Sequence, residues 1–301
     1  HVRPVAPPLP GRHELTVGGQ LRDDRADLAL TRTSARMLVE PIRADLVSQR
    51  SLGTYAELGS TWHARVRTVV GLRADHFAFD VSSDDPANSG QASAARVSPK
   101  ASLVVGPWSG TEAYLSAGRG FHSNDARGTV MRRDPRTGET VEPVDPLVPS
   151  TGLEVGVRAT PLPGWRATAA LWTVDVDSEL LYVGDAGTTE PGDASRRTGL
   201  TLANFWRVTA RLSADLDLAL TRARLSGVGA GQDRIPGAVD RTVAAGLTWE
   251  PIERGAFAAL RLRHLGGYPL EESGMERADP TSLVNLNVGW EFGSVRAGLQ
   301  L

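Results

Sequence analysis

The 301-residue sequence contains no cysteine, which excludes disulfides, thiolate nucleophiles and cysteine-ligated metal centres. It also lacks any apolar run that approaches the roughly 20 residues needed for a transmembrane helix. The formal net charge is −2 and no basic tract is present, so nucleic acid is not expected as a partner. These absences leave an ordered chain that could still meet a membrane through β-strands, because each strand shows lipid only one face.

Alternation of apolar and polar residues is the main pattern in the sequence. In segment 151–160 the odd positions are apolar, as at Leu153, whereas the even positions are small or polar, as at Glu154. A period of two places successive side chains on opposite faces of a β-strand. Comparable alternation occurs in segments 210–221, 242–250, 258–263 and 284–291.

The alternation predicts about 13 long strands. They lie near residues 13–22, 46–59, 64–80, 92–106, 111–121, 150–160, 165–183, 197–206, 210–224, 240–249, 255–266, 281–291 and 295–301. Such strands are longer than is usual in globular proteins and suit a tilted membrane crossing. Single-chain bacterial barrels have even strand numbers, so we expect this segment to be part of a larger barrel.

The predicted connections are alternately short and long. Short turns fall at 106–110, 161–164, 251–255 and 292–294, and long polar loops fall near 81–91, 122–149, 184–196, 225–239 and 267–281. Short periplasmic turns and long extracellular loops are typical of bacterial outer-membrane barrels. The expected fold is therefore all-β, an antiparallel up-and-down transmembrane β-barrel portion in the bacterial outer membrane.

Six of the seven tryptophans lie in or near the short turns. Indole rings favour the headgroup level of a bilayer, so we expect one belt at the periplasmic interface. Its members are Trp62, Trp108, Trp165, Trp206, Trp249 and Trp290.

Charged residues at the polar positions of the predicted strands are expected to face the barrel lumen. This set is Arg158, Arg211, Asp215, Asp217, Arg261, Arg263 and Glu291. Two acidic groups, Asp23, Asp24 and Asp27 and the pair Asp84 and Asp85, are expected in loops. They could hold calcium, but solvated loop charge is the favoured interpretation and no metal site is predicted.

Segments 98–108 and 112–128, together with 183–191, resemble the TonB-dependent receptor family; the second contains the run Ala117-Gly118-Arg119-Gly120-Phe121. The resemblance covers roughly residues 46–301. It implies a barrel of about 22 strands with an N-terminal plug and a short box that engages the energy-transducing protein. Nothing in the sequence matches the plug or the box. We therefore expect residues 1–301 to form one barrel domain, without the plug, the first barrel strands and the last strand.

The resemblance implies import of a scarce nutrient, such as a ferric siderophore, without a bound cofactor. Its expected partners are outer-membrane lipid, a small-molecule substrate such as a ferric chelate, and the TonB complex only through the missing plug. A passive porin-like or structural outer-membrane barrel is the alternative. An enzyme is not expected, because the outward-facing histidines His76 and His264 have no orienting partner at a fitting spacing.

The candidate ligand-binding residues are Phe121, His122, Asp125 and Arg127, at the start of the longest loop. Arg127 could hold an anionic chelate by charge-assisted hydrogen bonds. The favoured competing interpretation is a structural latch, in which Asn124 and Asp125 turn the chain and Arg127 pairs with a carboxylate of the wall.

Overall fold

The computed structural model describes residues 10–178, 180–183, 188–229 and 231–301. Within them the chain forms β-strands, connecting loops and one short 3₁₀ turn, Pro86–Asn88. The strands are β1 Arg12–Ser34, β2 Met37–His63, β3 Val66–Ser83, β4 Gly90–Trp108, β5 Thr111–Ser123, β6 Leu147–Ala159, β7 Trp165–Val176, β8 Leu180–Val183, β9 Thr188–Pro191, β10 Ser195–Arg207, β11 Leu212–Leu225, β12 Arg241–Trp249, β13 Gly255–Leu265, β14 Tyr268–Pro269, β15 Arg277–Ala278, β16 Thr281–Phe292 and β17 Val295–Gln300.

Thirteen of these strands form one antiparallel sheet, which we call the wall. Its order is β1-β2-β3-β4-β5-β6-β7-β10-β11-β12-β13-β16-β17, so each wall strand pairs with the next wall strand along the chain. The remaining strands form two small hairpins, β8-β9 and β14-β15, within the long connections. The predicted all-β, up-and-down architecture of about 13 long strands is confirmed.

The two faces of the wall differ as the alternation predicts. On β6, Leu153 and Val155 are about half exposed, while Gly156 between the apolar positions is buried. Strand register extends this face sideways, because Leu153 lies beside Ala117 of β5. We call the side with these exposed leucines and valines the apolar face, and the opposite side the polar face.

No helix in the described residues is long and apolar enough to cross a membrane.

The first hairpin was predicted wrongly. Strands β1 and β2 together span residues 12–63 and turn at Ala35 and Arg36, which have positive φ angles of 48° and 65°. Turns of this type usually contain Gly, Asn or Asp, which tolerate such angles. Ala and Arg give no such signal, so the sequence pattern placed residues 23–45 in a connection.

The acidic group Asp23, Asp24 and Asp27 consequently lies in strand β1 and not in a loop. Asp23 accepts a hydrogen bond from Arg50 at 2.9 Å, and Asp24 pairs with Arg22 at 2.5 Å. These pairings correct the prediction of an acidic loop. Asp84 and Asp85 do lie in a connection, between β3 and β4.

A second boundary was also wrong. The sequence predicted a single strand over 165–183, but β7 ends at Val176. Residues 180–183 pair instead with residues 188–191 as the separate hairpin β8-β9. Apolar residues resume at Leu180 after the polar run Asp177-Ser178-Glu179, and the sequence pattern did not reveal that the chain leaves the wall there.

Candidate functional site

Six of the seven residues predicted to face the lumen lie within wall strands. Asp215, Gly246 and Arg261 occupy neighbouring positions on β11, β12 and β13, and Arg261 forms an ion pair with Asp215 across the glycine. A methyl group at Gly246 would collide with the guanidinium. The glycine therefore creates the space in which two charges from non-adjacent strands can meet.

The same arrangement occurs near the other end of the sheet, also on the polar face. Glu57, Gly71 and Lys100 are neighbours on β2, β3 and β4, and Lys100 Nζ lies 2.5 Å from Glu57 Oε2. Here too a side chain at the central glycine would meet the lysine stem. The chain's single lysine thus has a defined partner on the polar face.

The alternation also places the remaining predicted residues on the polar face, with one exception. Arg158 alternates with Val157, and Glu291 alternates with Trp290, so both lie on the polar face of their strands. Asp217 and Arg263 share strand parity with Asp215 and Arg261. Arg211 is the exception, because it precedes β11 in the short turn and not within a strand.

A polar recess of about 640 Å³ lies on this face over β1–β6. Arg158 places its guanidinium 4.5 Å from the centre of the Tyr114 ring. It also lies 3.4 Å from Glu112, which pairs in addition with Arg67. Arg12 and Glu14 also line the recess, so charged groups of both signs border it.

The loop over residues 124–146 folds onto the polar face of β2–β4, and we call it the docked loop. Its residues Ala126 and Val130 are buried with Phe79 and Val81 of β3, and Val47 packs against the same group. Burial of these apolar side chains stabilises the docked loop against the wall, and the lipid-facing side of the wall takes no part in this contact.

Asn88 fixes the docked loop by side-chain hydrogen bonds. Its side chain is 1% exposed. Its Nδ2 donates to the Arg133 carbonyl oxygen at 2.9 Å, and its Oδ1 accepts from the backbone N–H groups of Arg132 and Arg133 at 3.0 Å. One amide side chain therefore satisfies three backbone groups of the loop.

A buried ion pair that the sequence analysis missed lies under the same loop. Arg43 and Asp45 are 4% and 2% exposed, and Arg43 Nε lies 2.5 Å from Asp45 Oδ2. Arg43 Nη1 also donates to Met131 Sδ of the loop at 3.4 Å. The two residues share one face of β2, at alternate positions. Because residues 23–45 were predicted as a connection, this burial could not be foreseen.

The four candidate ligand-binding residues lie at the junction of β5 and the docked loop. The Phe121 ring contacts Phe77 edge to face, with centroids 5.7 Å apart. His122 is partly buried, and its ring makes no hydrogen bond within the described chain. The Phe121 and His122 side chains thus border the region where the loop leaves the wall.

Asp125 and Arg127 form a closed local pair. Arg127 Nη2 lies 2.6 Å from Asp125 Oδ2, and the Arg127 backbone N–H donates to Asp125 Oδ1 at 2.9 Å. Burial alone would raise the pKa of Asp125, but the hydrogen bonds from Arg127 outweigh it and the pKa is lowered. Asn124 is buried and donates to the Asp145 carbonyl oxygen at 2.6 Å. Asn124 and Asp125 turn the chain as in the predicted latch, and one carboxylate partner of Arg127 is Asp125 of the same turn.

The six tryptophans of the predicted belt lie at the short-turn ends of their strands. Trp165 and Trp206 are cross-strand neighbours with ring centroids 6.0 Å apart. Trp62 donates from Nε1 to Thr68 Oγ1 at 2.8 Å. The seventh, Trp172, instead lies mid-strand against Gly199 on the polar face.

The described residues contain no group of three or more His, Asp or Glu side chains placed to hold a metal ion. His264 Nδ1 and Ser282 Oγ are 2.9 Å apart on the apolar face, as neighbours on β13 and β16.

A long antiparallel wall with one apolar and one polar face, short turns at one end and long loops at the other defines an outer-membrane β-barrel wall. The sequence model of the family described as TonB dependent receptor-like, beta-barrel, matches residues 5–300. The chain therefore belongs to the TonB-dependent receptor β-barrel family, whose members are outer-membrane proteins of Gram-negative bacteria. The matches are to transport receptors and not to enzymes.

Solved structures of similar fold agree with this assignment. The ferric yersiniabactin uptake receptor FyuA from Yersinia pestis superposes with a TM-score of 0.72 at 15% identity, covering 92% of this chain and 44% of that one. The copper transporter OprC gives 0.71 at 18% identity, covering 96% and 48%. The ferric citrate transporter FecA gives 0.72 at 13% identity, covering 94% and 45%. The chain thus spans less than half the length of these structures, and the likeness concerns the fold.

Proposed function

We propose that this chain is the barrel portion of a TonB-dependent outer-membrane receptor that imports a scarce nutrient such as a ferric siderophore. The observation that carries the proposal is the family match over residues 5–300, together with the wall of 13 strands. Solved structures of this fold are described as receptors or transporters for ferric yersiniabactin, ferric citrate and copper.

We further propose that residues 1–301 form a single barrel domain and that the polar face lines the lumen. The polar recess and the charge pairs across glycines support this arrangement, because charged groups are tolerated where they meet water or another polar surface. The six tryptophans at the short-turn ends then form the periplasmic belt. Energy from the TonB complex would reach the barrel through a plug domain.

The rim between β5 and the docked loop is the proposed substrate contact. His122 has a ring without hydrogen bonds in the described structure, so it can offer a donor or an acceptor to a bound chelate. Arg127 is about a quarter exposed beside Asp125, and its positive charge would attract an anionic chelate. Asp125 holds Arg127 by the ion pair, and Phe121 packs against Phe77 beside His122 in the chain.

Uptake measurements test the transport proposal. Cells that produce the protein at its natural length are given a panel of iron-loaded anionic chelators, and cell-associated radioactive iron is counted with and without a protonophore. A receptor gives uptake of one chelate that saturates and stops when the proton gradient collapses. Uptake that is linear in concentration and insensitive to the protonophore would support the passive barrel instead.

A binding measurement tests the rim. His122→Ala should weaken binding of the transported chelate by roughly tenfold, the effect of losing one hydrogen bond to a charged group. Arg136→Ala, on an exposed loop arginine away from the junction, is the matched control and should leave binding unchanged. Equal affinities of the His122 variant and the unaltered protein would remove His122 from the site.

A further inference from the structure

The buried ion pair under the docked loop has polar atoms that the protein leaves unused. Arg43 and Asp45 are 4% and 2% exposed and contact each other through Arg43 Nε and Asp45 Oδ2. Arg43 Nη2 and Asp45 Oδ1 are buried as well, and neither atom has a hydrogen-bond partner in the described chain. A buried N–H group without an acceptor is costly, because water no longer solvates it. The guanidinium therefore has capacity for a further ligand.

The loop contact that covers Arg43 is a weak one. Arg43 Nη1 donates to Met131 Sδ of the docked loop at 3.4 Å. A thioether is a weak hydrogen-bond acceptor, whereas carboxylate and phosphate oxygens form short, charge-assisted hydrogen bonds with a guanidinium. An oxyanion would therefore bind Arg43 more strongly than the sulfur does, and it could do so only after the Met131 side chain has left.

Arg43 lies at the long-loop end of the polar face, beside the proposed rim. The pairing of β2 with β3 starts at Asp45, so Arg43 is placed just beyond the paired part of β2. Its charge contributes to the lowered pKa of Asp125, which places it within electrostatic range of the pair Asp125 and Arg127. Each of the two arginines already has an aspartate beside it. An oxyanion would therefore be bound by directed N–H groups and not by an excess of positive charge.

The segment around Met131 is held on the wall independently of the base of the docked loop. Asn88 holds the backbone of residues 132–133 by three hydrogen bonds. At the base, the Asn124 side chain donates to the Asp145 carbonyl oxygen at 2.6 Å. Release of the Asn88 contacts would therefore expose the ion pair while the base of the loop keeps its position.

We propose that Arg43 is an oxyanion subsite for the substrate and that Met131 of the docked loop occupies this subsite when no substrate is bound. The inference rests on the proposed transport function for its natural ligand, an anionic chelate with carboxylate-like oxygens. The docked loop is then autoinhibitory, because loop and ligand compete for one guanidinium. Ligand binding opens the loop, and loop docking weakens ligand binding by the same factor.

Inorganic phosphate is the probe, and the detergent-purified protein at its natural length is used. Equilibrium dialysis with radioactive phosphate gives the affinity, and hydrogen exchange of peptides covering residues 128–135 gives loop opening, with chloride at equal ionic strength as the reference. Phosphate should speed exchange in these peptides and leave peptides from β10 and β11 unchanged.

Asn88→Ala should tighten phosphate binding by roughly a hundredfold, the factor by which it favours the open loop, because only the open form binds. Arg43→Gln with Asp45→Asn should abolish this gain, and it leaves no buried carboxylate without its partner. Arg73→Gln with Asp75→Asn is the matched control. It removes another arginine–aspartate pair at alternate positions of the polar face, in which Arg73 Nη2 lies 2.6 Å from Asp75 Oδ1, and it should leave the gain unchanged.

Substitutions of Met131 test the competition directly. Met131→Gln places an amide oxygen, a stronger acceptor, beside Arg43, so it should slow loop exchange and weaken phosphate binding, each by roughly tenfold. Met131→Leu keeps the apolar bulk and removes the acceptor, so it should not weaken phosphate binding. Heat-modifiable migration on gels verifies that each variant folds.

Three results would overturn the proposal. The first is equal phosphate affinity of Asn88→Ala and the unaltered protein. The second is equal loss of the gain in the two double variants, Arg43 with Asp45 and Arg73 with Asp75. The third is slower loop exchange in Met131→Gln without weaker phosphate binding, as a purely structural contact would give. Because phosphate replaces the chelate, chelate uptake combined with any of these results would remove the subsite and leave the transport function standing.

Discussion

Replacing Asn88 by alanine should release the docked loop without unfolding the wall. The substitution removes the partners of the Arg133 carbonyl and of the Arg132 and Arg133 backbone N–H groups. Each buried backbone group left without a partner costs about 1–3 kcal/mol. Water can reach some of the freed groups, so we take the low end, and the loss is about 3 kcal/mol in the free energy of docking.

A change of about 3 kcal/mol raises the open fraction of the loop by roughly a hundredfold, since each 1.4 kcal/mol is a factor of about ten. Hydrogen exchange detects this change, because amide protons exchange from locally opened states. Peptides covering residues 124–146 should exchange about a hundred times faster in Asn88→Ala, while peptides from β10 and β11 keep their protection. The Val144 N–H, which donates to the Gly128 carbonyl at 3.0 Å, is one of the reporters.

Two further variants test the assignment. Asn88→Asp loses the donor and places a carboxylate oxygen against the Arg133 carbonyl oxygen in a buried site, so its loop should exchange at least as fast as that of Asn88→Ala. Asn285→Ala, on an exposed wall residue of β16, is the control and should leave the loop protected. Loop exchange within threefold of the unaltered rate in Asn88→Ala would refute the claim that this side chain fixes the loop.

Three other predictions concern the faces of the wall and the latch. Gly246→Ala forces Arg261 away from Asp215 and should lower the free energy of unfolding, measured in urea titrations, by about 1–2 kcal/mol. Gly152→Ala is the control and should be nearly neutral, because its added methyl has its nearest neighbours at 3.9 Å. Leu216→Arg on the apolar face should reduce stability in lipid vesicles by about 2–4 kcal/mol, and Asp217→Arg on the polar face by less than about 1 kcal/mol; equal losses would contradict the assignment of faces. Because the pKa of Asp125 is lowered, its contribution to loop docking is complete above about pH 4 and is lost as the pH falls through the lowered pKa. Hydrogen exchange of residues 124–146 should therefore show more opening in acid than the intrinsic pH dependence of exchange explains. Asp125→Asn should abolish that extra opening.

The sequence by itself determined most of the wall strands and their two faces, apart from the first hairpin over residues 23–45 and the end of β7. Alternation at positions such as Leu153 and Glu154 sets the direction of each side chain, because successive residues of a strand point to opposite sides. Turn residues and loop lengths then fixed the up-and-down order. These properties depend on near neighbours in the chain, and this is why a pattern of short range sufficed.

The tertiary structure decided which distant groups meet. The pairing of Asp215 with Arg261 depends on the register of three strands and on a glycine between them, and no local pattern contains that information. Arg43 and Asp45 are buried only because a loop from far along the chain docks over them. Arg127 pairs with Asp125 two residues away, since the turn geometry brings that carboxylate beside the guanidinium.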